Sequence, residues 1–156
     1  MSIKVGDMAP DFSLVSSKME KVSLSDFRGK NVVLLFFPFA GSGVCTKEMC
    51  NFRDEFKQYE ELDAQVLGVS VDSVYGLNLF AEKNDYKFPL LSDFNKEVIQ
   101  SYGVFDDLFA AGKLDYKGVA KRSAFVIDKE GKVKYAEVLA SPGDEPNYEA
   151  IKETLK

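Results

Sequence analysis

Cys45 and Cys50 are the two thiols of this chain of 156 residues, and no histidine accompanies them. Without histidine there is no Ser-His or Cys-His nucleophilic pair, and the commonest transition-metal ligand is missing. Two cysteines are too few for a four-cysteine zinc or iron–sulfur site, so neither a metal nor a prosthetic group is expected. Any chemistry must come from carboxylates, cations, hydroxyls or these two sulfurs. A thiol that ionises is a nucleophile, and it can be oxidised and reduced again.

The setting of Cys45 supports such a use. Asn31-Val32-Val33-Leu34-Leu35-Phe36-Phe37 is a continuous β-branched and aromatic run stopped by Pro38, the pattern of a central strand buried on both faces. The chain then turns through Phe39-Ala40-Gly41-Ser42-Gly43-Val44 and enters a helix predicted over Val44 to about Leu62. Cys45 therefore falls in the first helical turn. Unpaired backbone N–H groups and the positive end of the helix dipole meet there, surroundings that favour thiolate over thiol. Strand–loop–helix junctions of this kind are also where α/β folds hold ligands, which requires a sulfur that solvent can reach. The plain alternative is a small hydrophobe at the top of a helix.

At 100° per residue, Cys45, Met49, Phe52 and Phe56 share one stripe, which should pack on the sheet. Cys50 lies about 140° from that stripe, among Thr46, Asp54, Lys57 and Glu61. Five residues of ideal helix separate the two Cα atoms by roughly 8.6 Å. A disulfide needs about 4.4–6.8 Å, so a bond between them requires the first turns to unwind. Such a bond is one made and broken during turnover, not a fixed staple.

The remaining elements frame these residues. Phe12–Val15 and Val22–Leu24 suggest a short N-terminal hairpin at a sheet edge. Strands are predicted over Gln65–Val71, Ser123–Ile127 and Lys132–Leu139, the last two joined by a turn at Asp128–Gly131. Helices are predicted over Val74–Lys83, over Asn95–Tyr102 after the Ser92-Asp93 start signal, and over Tyr148–Leu155, with a long loop from Phe105 to Val119. This order implies an α/β sandwich, a mixed central sheet flanked by helices with an N-terminal β-hairpin extension, as in a thioredoxin-like fold. The length suits one domain spanning residues 1–156.

Composition narrows the partners. Hydrophobic residues make up 46% and charged residues 29%, ordinary globular values. A net charge of −5 disfavours nucleic acid or an anionic membrane, both of which need a basic footprint. The longest strongly apolar run, Val32 to Phe37, is far short of the roughly 18 residues of a membrane helix. Met1–Ser13 has no basic head followed by an apolar stretch, so no export signal is expected and the cytoplasm is the expected compartment.

Pro38, Ser42 and Cys45, in the run Phe36-Phe37-Pro38-Phe39-Ala40-Gly41-Ser42-Gly43-Val44-Cys45-Thr46-Lys47-Glu48, resemble the peroxiredoxin signature: proline, three residues, Thr or Ser, two residues, then cysteine. Ala9-Pro10-Asp11-Phe12, Gly68-Val69-Ser70-Val71-Asp72, Pro89-Leu90-Leu91-Ser92-Asp93, Tyr102-Gly103-Val104 and Arg122-Ser123-Ala124-Phe125-Val126-Ile127-Asp128 extend the resemblance along nearly the whole chain. It is closest to the alkyl-hydroperoxide-reductase-E-like and bacterioferritin-comigratory (Q-type) branches. The resemblance implies a thiol peroxidase acting on hydrogen peroxide and organic hydroperoxides, with Cys45 as the attacking thiolate. Substrate contacts are implied for Pro38, Ser42, Val44 and Arg122, with Glu48 orienting Arg122. Sequence alone would not choose Arg122 over Lys47, Arg53 or Lys121. Ser42 stands where most members carry Thr.

In Q-type members a second cysteine five positions on resolves the first, which matches Cys50; the one-cysteine E-type pattern lacks it. The implied partner is a thioredoxin or glutaredoxin-like reductant. Q-type relatives are often monomers and E-like ones tend to pair, so a homodimer is among the expectations. Two other readings stand beside this one. A thiol–disulfide oxidoreductase on the same fold would normally use Cys-x-x-Cys and a nearby Trp, and this chain has a four-residue gap and no Trp. A non-enzymatic redox sensor or chaperone-like protein would react with peroxide no faster than a free thiol.

Overall fold

The computed structural model describes residues 3–156, so the first two residues of the stretch read for an export signal lie outside it. The N-terminal hairpin is present as β1 (Ser13–Ser16) and β2 (Lys21–Ser23), followed by a 3₁₀ turn over Leu24–Phe27. The apolar run before Pro38 forms β3 (Asn31–Phe36), and the next segment forms α1 (Gly43–Asp54) and α2 (Phe56–Glu61). There follow β4 (Ala64–Ser70), α3 (Val74–Asn84), β5 (Leu90–Ser92) and α4 (Glu97–Ser101). The chain closes with β6 (Phe105–Asp106), β7 (Val119–Ala120), β8 (Ser123–Ile127), β9 (Val133–Val138) and α5 (Tyr148–Leu155).

Seven strands make one sheet in the order β2-β1-β5-β4-β3-β8-β9. β4 runs parallel to both β3 and β5, while β8 is antiparallel to β3 and to β9. The sheet is therefore mixed, and the hairpin extends its edge through antiparallel pairing of β1 with β5. Period-two alternation along β3 sends Leu34 and Phe36 into one core, with Leu67, Phe125 and Tyr102. It sends Val33, Leu35 and Phe37 into the other, with Met49 and Phe52 of α1, Leu77 and Phe80 of α3, and Ile151 of α5. Each such Leu or Phe removed from water contributes roughly 1.5–3 kcal/mol. The stripe predicted from helical spacing is thus the face by which α1 holds the sheet.

Four expectations change in detail. The helix from Val44 to Leu62 breaks at Glu55, whose dihedrals leave the helical range (φ −104°, ψ 15°) and whose carboxylate meets Lys152 of α5 at 2.6 Å. Leu90–Ser92, assigned no element beyond the Ser92-Asp93 helix start, is a strand that joins the hairpin to the parallel core. The helix after it is shorter, Glu97–Ser101; its start is held by Asp93, which accepts from the amides of Glu97, Val98 and Ile99 at 2.8–3.2 Å. The long loop between Phe105 and Val119 is pinned at its base by the β6–β7 pairing and further out by a Phe109–Tyr116 bridge.

Candidate active site

The loop between β3 and α1 brings the site together. Gly41 turns it at φ +92°, a conformation open to glycine without strain. Asp72, just beyond β4, accepts from the Ala40 amide at 2.7 Å and from Ser70 Oγ at 2.6 Å, which ties the loop to the sheet. Ser42 then caps α1: its Oγ accepts from the Cys45 amide at 3.3 Å, and its carbonyl accepts from Thr46 Oγ1 at 2.8 Å. The Ser42 oxygen is thus engaged in the cap, and its hydroxyl proton remains to be donated. Val44 lies half-buried in the same first turn.

Arg122 reaches this turn from the residue before β8. Its Nη2 lies 3.2 Å from Cys45 Sγ, and its Nη1 donates to Glu48 Oε1 at 2.7 Å. Nη2 and Nε also donate to the Pro142 carbonyl, at 3.1 and 3.4 Å. Arg122 is 2% exposed, and Cys45 and Glu48 are 0% exposed. Burial works against the guanidinium charge, but the sulfur and the Glu48 carboxylate outweigh it and hold the Arg122 pKa above its ordinary value. Glu48 behaves oppositely: burial raises its carboxyl to about 7, although Arg122 pulls it down. Glu48 Oε2 has no hydrogen-bond partner, which deepens that cost.

The fold brings Cys45, Ser42, Glu48 and Arg122 into contact, and Pro38 is buried alongside. Two expectations need correction. The sulfur is covered, not open, because Cys45 belongs to the sheet-facing stripe of α1. A cavity of about 390 Å³ is lined by Pro38, Arg122 and Pro142 but not by Cys45; Phe109, Lys121 and Leu139 are among its other walls. Other hollows, of about 430 and 570 Å³, lie beside β1 and are lined by neither cysteine. Cys50 also departs from its expected solvated face. It is half-buried, with Sγ 3.5 Å from Tyr86 Oη and 4.0 Å from Asn84 Oδ1. Both cysteines are free thiols.

A family model described as AhpC/TSA family matches residues 5–136. The chain belongs to that family. It is 44% identical over 131 residues to the putative peroxiredoxin bcp of Coxiella burnetii, covering 84% of this chain and 85% of that protein. Alkyl hydroperoxide reductase E of Mycobacterium tuberculosis is 37% identical over 145 residues, 91% of this chain and 89% of that protein. The crystal structure of peroxidoxin BcpB from Mycobacterium tuberculosis superposes with a TM-score of 0.84 at 34% identity, over 98% of this chain and 96% of that one. The peroxiredoxin resemblance and its thioredoxin-like fold therefore hold, the Bcp relatives support the Q-type side, and the chain is a thiol peroxidase of this family.

Two groups at the site escaped sequence reading. The Pro142 carbonyl is a backbone atom, for which residue type gives no signal. Asp72 ends the Gly68–Asp72 stretch that carried part of the resemblance, and its acidic side chain just beyond the strand was the available clue.

Proposed function

We propose that Cys45 reduces hydrogen peroxide and organic hydroperoxides, and that Cys50 resolves it. The supporting observation is the guanidinium of Arg122 at 3.2 Å from Cys45 Sγ, fixed on its other side by Glu48. The sulfur attacks one peroxide oxygen in line, and the O–O bond breaks. The departing oxygen leaves as hydroxide or alkoxide and takes up a proton. Arg122 offers donors to the ionised sulfur and to that oxygen, the electrostatic support a histidine gives elsewhere. Ser42 has its hydroxyl proton to give, the Val44 amide faces the same helix start, and Pro38 keeps water from the sulfur.

Access runs through the cavity at Pro38 and Arg122. Because the Pro142 carbonyl takes two guanidinium N–H groups, an incoming peroxide competes with it for the same donors. The product is a sulfenic acid on Cys45. Cys50 condenses with it after the first turns of α1 unwind, and a cytoplasmic dithiol carrier, thioredoxin or glutaredoxin-like, reduces the disulfide by exchange. Two copies pairing would leave this chemistry unchanged, since each group named comes from one chain.

Mass spectrometry after one equivalent of peroxide tests the assignment. Wild type should give a Cys45–Cys50 disulfide, Cys50→Ser a sulfenic acid on Cys45 and no recycling by thioredoxin, and Cys45→Ser no peroxide consumption. A free Cys50 thiol beside an oxidised Cys45 in wild type would remove the resolving role. Undiminished consumption by Cys45→Ser would remove the peroxidase assignment.

A further inference from the structure

The pocket that holds Cys50 is built with more care than a waiting thiol requires. Asp85 ends α3 in the left-handed region (φ 56°, ψ 48°) and turns the chain back beneath α1. Tyr86, 7% exposed, is then gripped by two rings: Phe80 edge-on at 5.1 Å and Phe88 stacked at 5.4 Å. Its hydroxyl lies 3.5 Å from Cys50 Sγ and 3.5 Å from the Thr46 carbonyl. That Thr46 carbonyl is the acceptor that helical i→i−4 bonding assigns to the Cys50 amide. Asn84 sends its amide N–H to the Phe80 carbonyl at 2.9 Å, leaving its oxygen toward Cys50, and Arg53 Nη1 ties the Asn84 carbonyl to α1 at 2.9 Å. Burial, together with Cys50, keeps the phenol protonated well above its ordinary range.

We propose that Tyr86 is a positioning residue that latches Cys50 and the first turns of α1 in the wound state, and so sets the rate of resolution. This rests on the reading of Cys50 as resolving thiol. In the step concerned, Cys50 sulfur bonds to Cys45 sulfur while the Cys45 S–O bond breaks. The Cys50 thiol proton leaves with the departing oxygen as water; Cys45 is reduced from the sulfenic level and Cys50 is oxidised to the disulfide. To reach Cys45, Cys50 must leave Tyr86 and Asn84, and Thr46 must give up the phenol as its turn unwinds. Both losses fall on the wound state. The latch therefore slows disulfide formation.

Tyr86→Phe removes the hydroxyl and keeps the ring between Phe80 and Phe88. Losing the net effect of one such hydrogen bond corresponds to about fivefold faster resolution. A second peroxide competes with resolution for the sulfenic acid, so the peroxide concentration giving half sulfinic acid on Cys45 should also rise about fivefold. Rapid-quench mass spectrometry reads both quantities, and the rate of the first oxidation serves as the contrast. In a Cys50→Ser background, where no resolution competes for the sulfenic acid and the wound state still dominates, Tyr86→Phe should leave sulfinic formation unchanged. Resolution at the wild-type rate in Tyr86→Phe, or slower, overturns the latch while the resolving role of Cys50 stands. A shift in sulfinic formation that persists in Cys50→Ser also overturns it. Absence of the Cys45–Cys50 disulfide in wild type instead removes the reading beneath it.

Discussion

Glu48 is a carboxyl that burial makes expensive to ionise. One oxygen sits on Arg122, the other has no partner, and burial raises its pKa from 4.5 to about 7. Arg122 opposes that rise, and Glu145 and Glu137 add to it. Between pH 4.5 and about 7 the folded protein therefore keeps a proton that the unfolded chain has released. The sign follows: this contribution to stability is complete below pH 4.5 and is lost as pH rises through about 7. A rise from 4.5 to about 7, at roughly 1.4 kcal/mol per pH unit, amounts to about 3 kcal/mol. Other carboxyls also move: Asp93 is raised by burial and shares the sign, while hydrogen bonds hold Glu145 down and give the opposite one. Glu48→Gln isolates the effect, since the amide keeps an oxygen for Arg122 but does not titrate. Both proteins should carry Cys45→Ser, so that Glu48 is the one site at which they differ beside Arg122. Urea unfolding at about pH 5 and about pH 8 should show the protein that retains Glu48 losing about 2–3 kcal/mol more across that interval than the Glu48→Gln variant. Equal pH dependence in the two would show that Glu48 does not hold its proton in the folded protein.

Ser42→Ala removes the cap acceptor of the Cys45 amide and should cost about 1 kcal/mol in unfolding free energy, with slower Cys45 oxidation. Ser42→Thr should restore both, and an unaltered oxidation rate in Ser42→Ala would show that the hydroxyl serves the helix alone. The segment carrying Pro142 is held by Glu145, which pairs with Lys47 at 3.1 Å and accepts from Tyr148 Oη at 2.7 Å. If that segment covers the sulfur, Glu145→Gln should raise the second-order rate of Cys45 oxidation severalfold by stopped flow. An unchanged rate would assign the cover to another group.

Much of this arrangement was legible in the residues because two periodicities carry it. The β3 run fixed the central strand, and the stripe Cys45, Met49, Phe52 fixed which side of α1 faces it. That stripe already implied a buried Cys45; the demand for an open sulfur conflicted with it, and packing prevailed. Leu90–Ser92 was missed because three residues after a proline carry no measurable alternation. The Cys50 pocket was invisible for a different reason. It depends on a left-handed turn at Asp85, a conformation uncommon outside glycine even for aspartate, and on Tyr86 coming from 36 positions away. Arg122 was found through family resemblance; an arginine at a strand start reads as surface until the fold buries it against Glu48.

The proposed chemistry turns on an arginine-held sulfur at the head of α1 attacking peroxide. Stopped-flow oxidation of the fully reduced protein by hydrogen peroxide, with free cysteine and Arg122→Lys measured alongside, tests it most directly. The second-order rate should stand well above that of free cysteine and fall about 100-fold or more in Arg122→Lys. A rate equal to that of free cysteine, or one indifferent to Arg122→Lys, would contradict it.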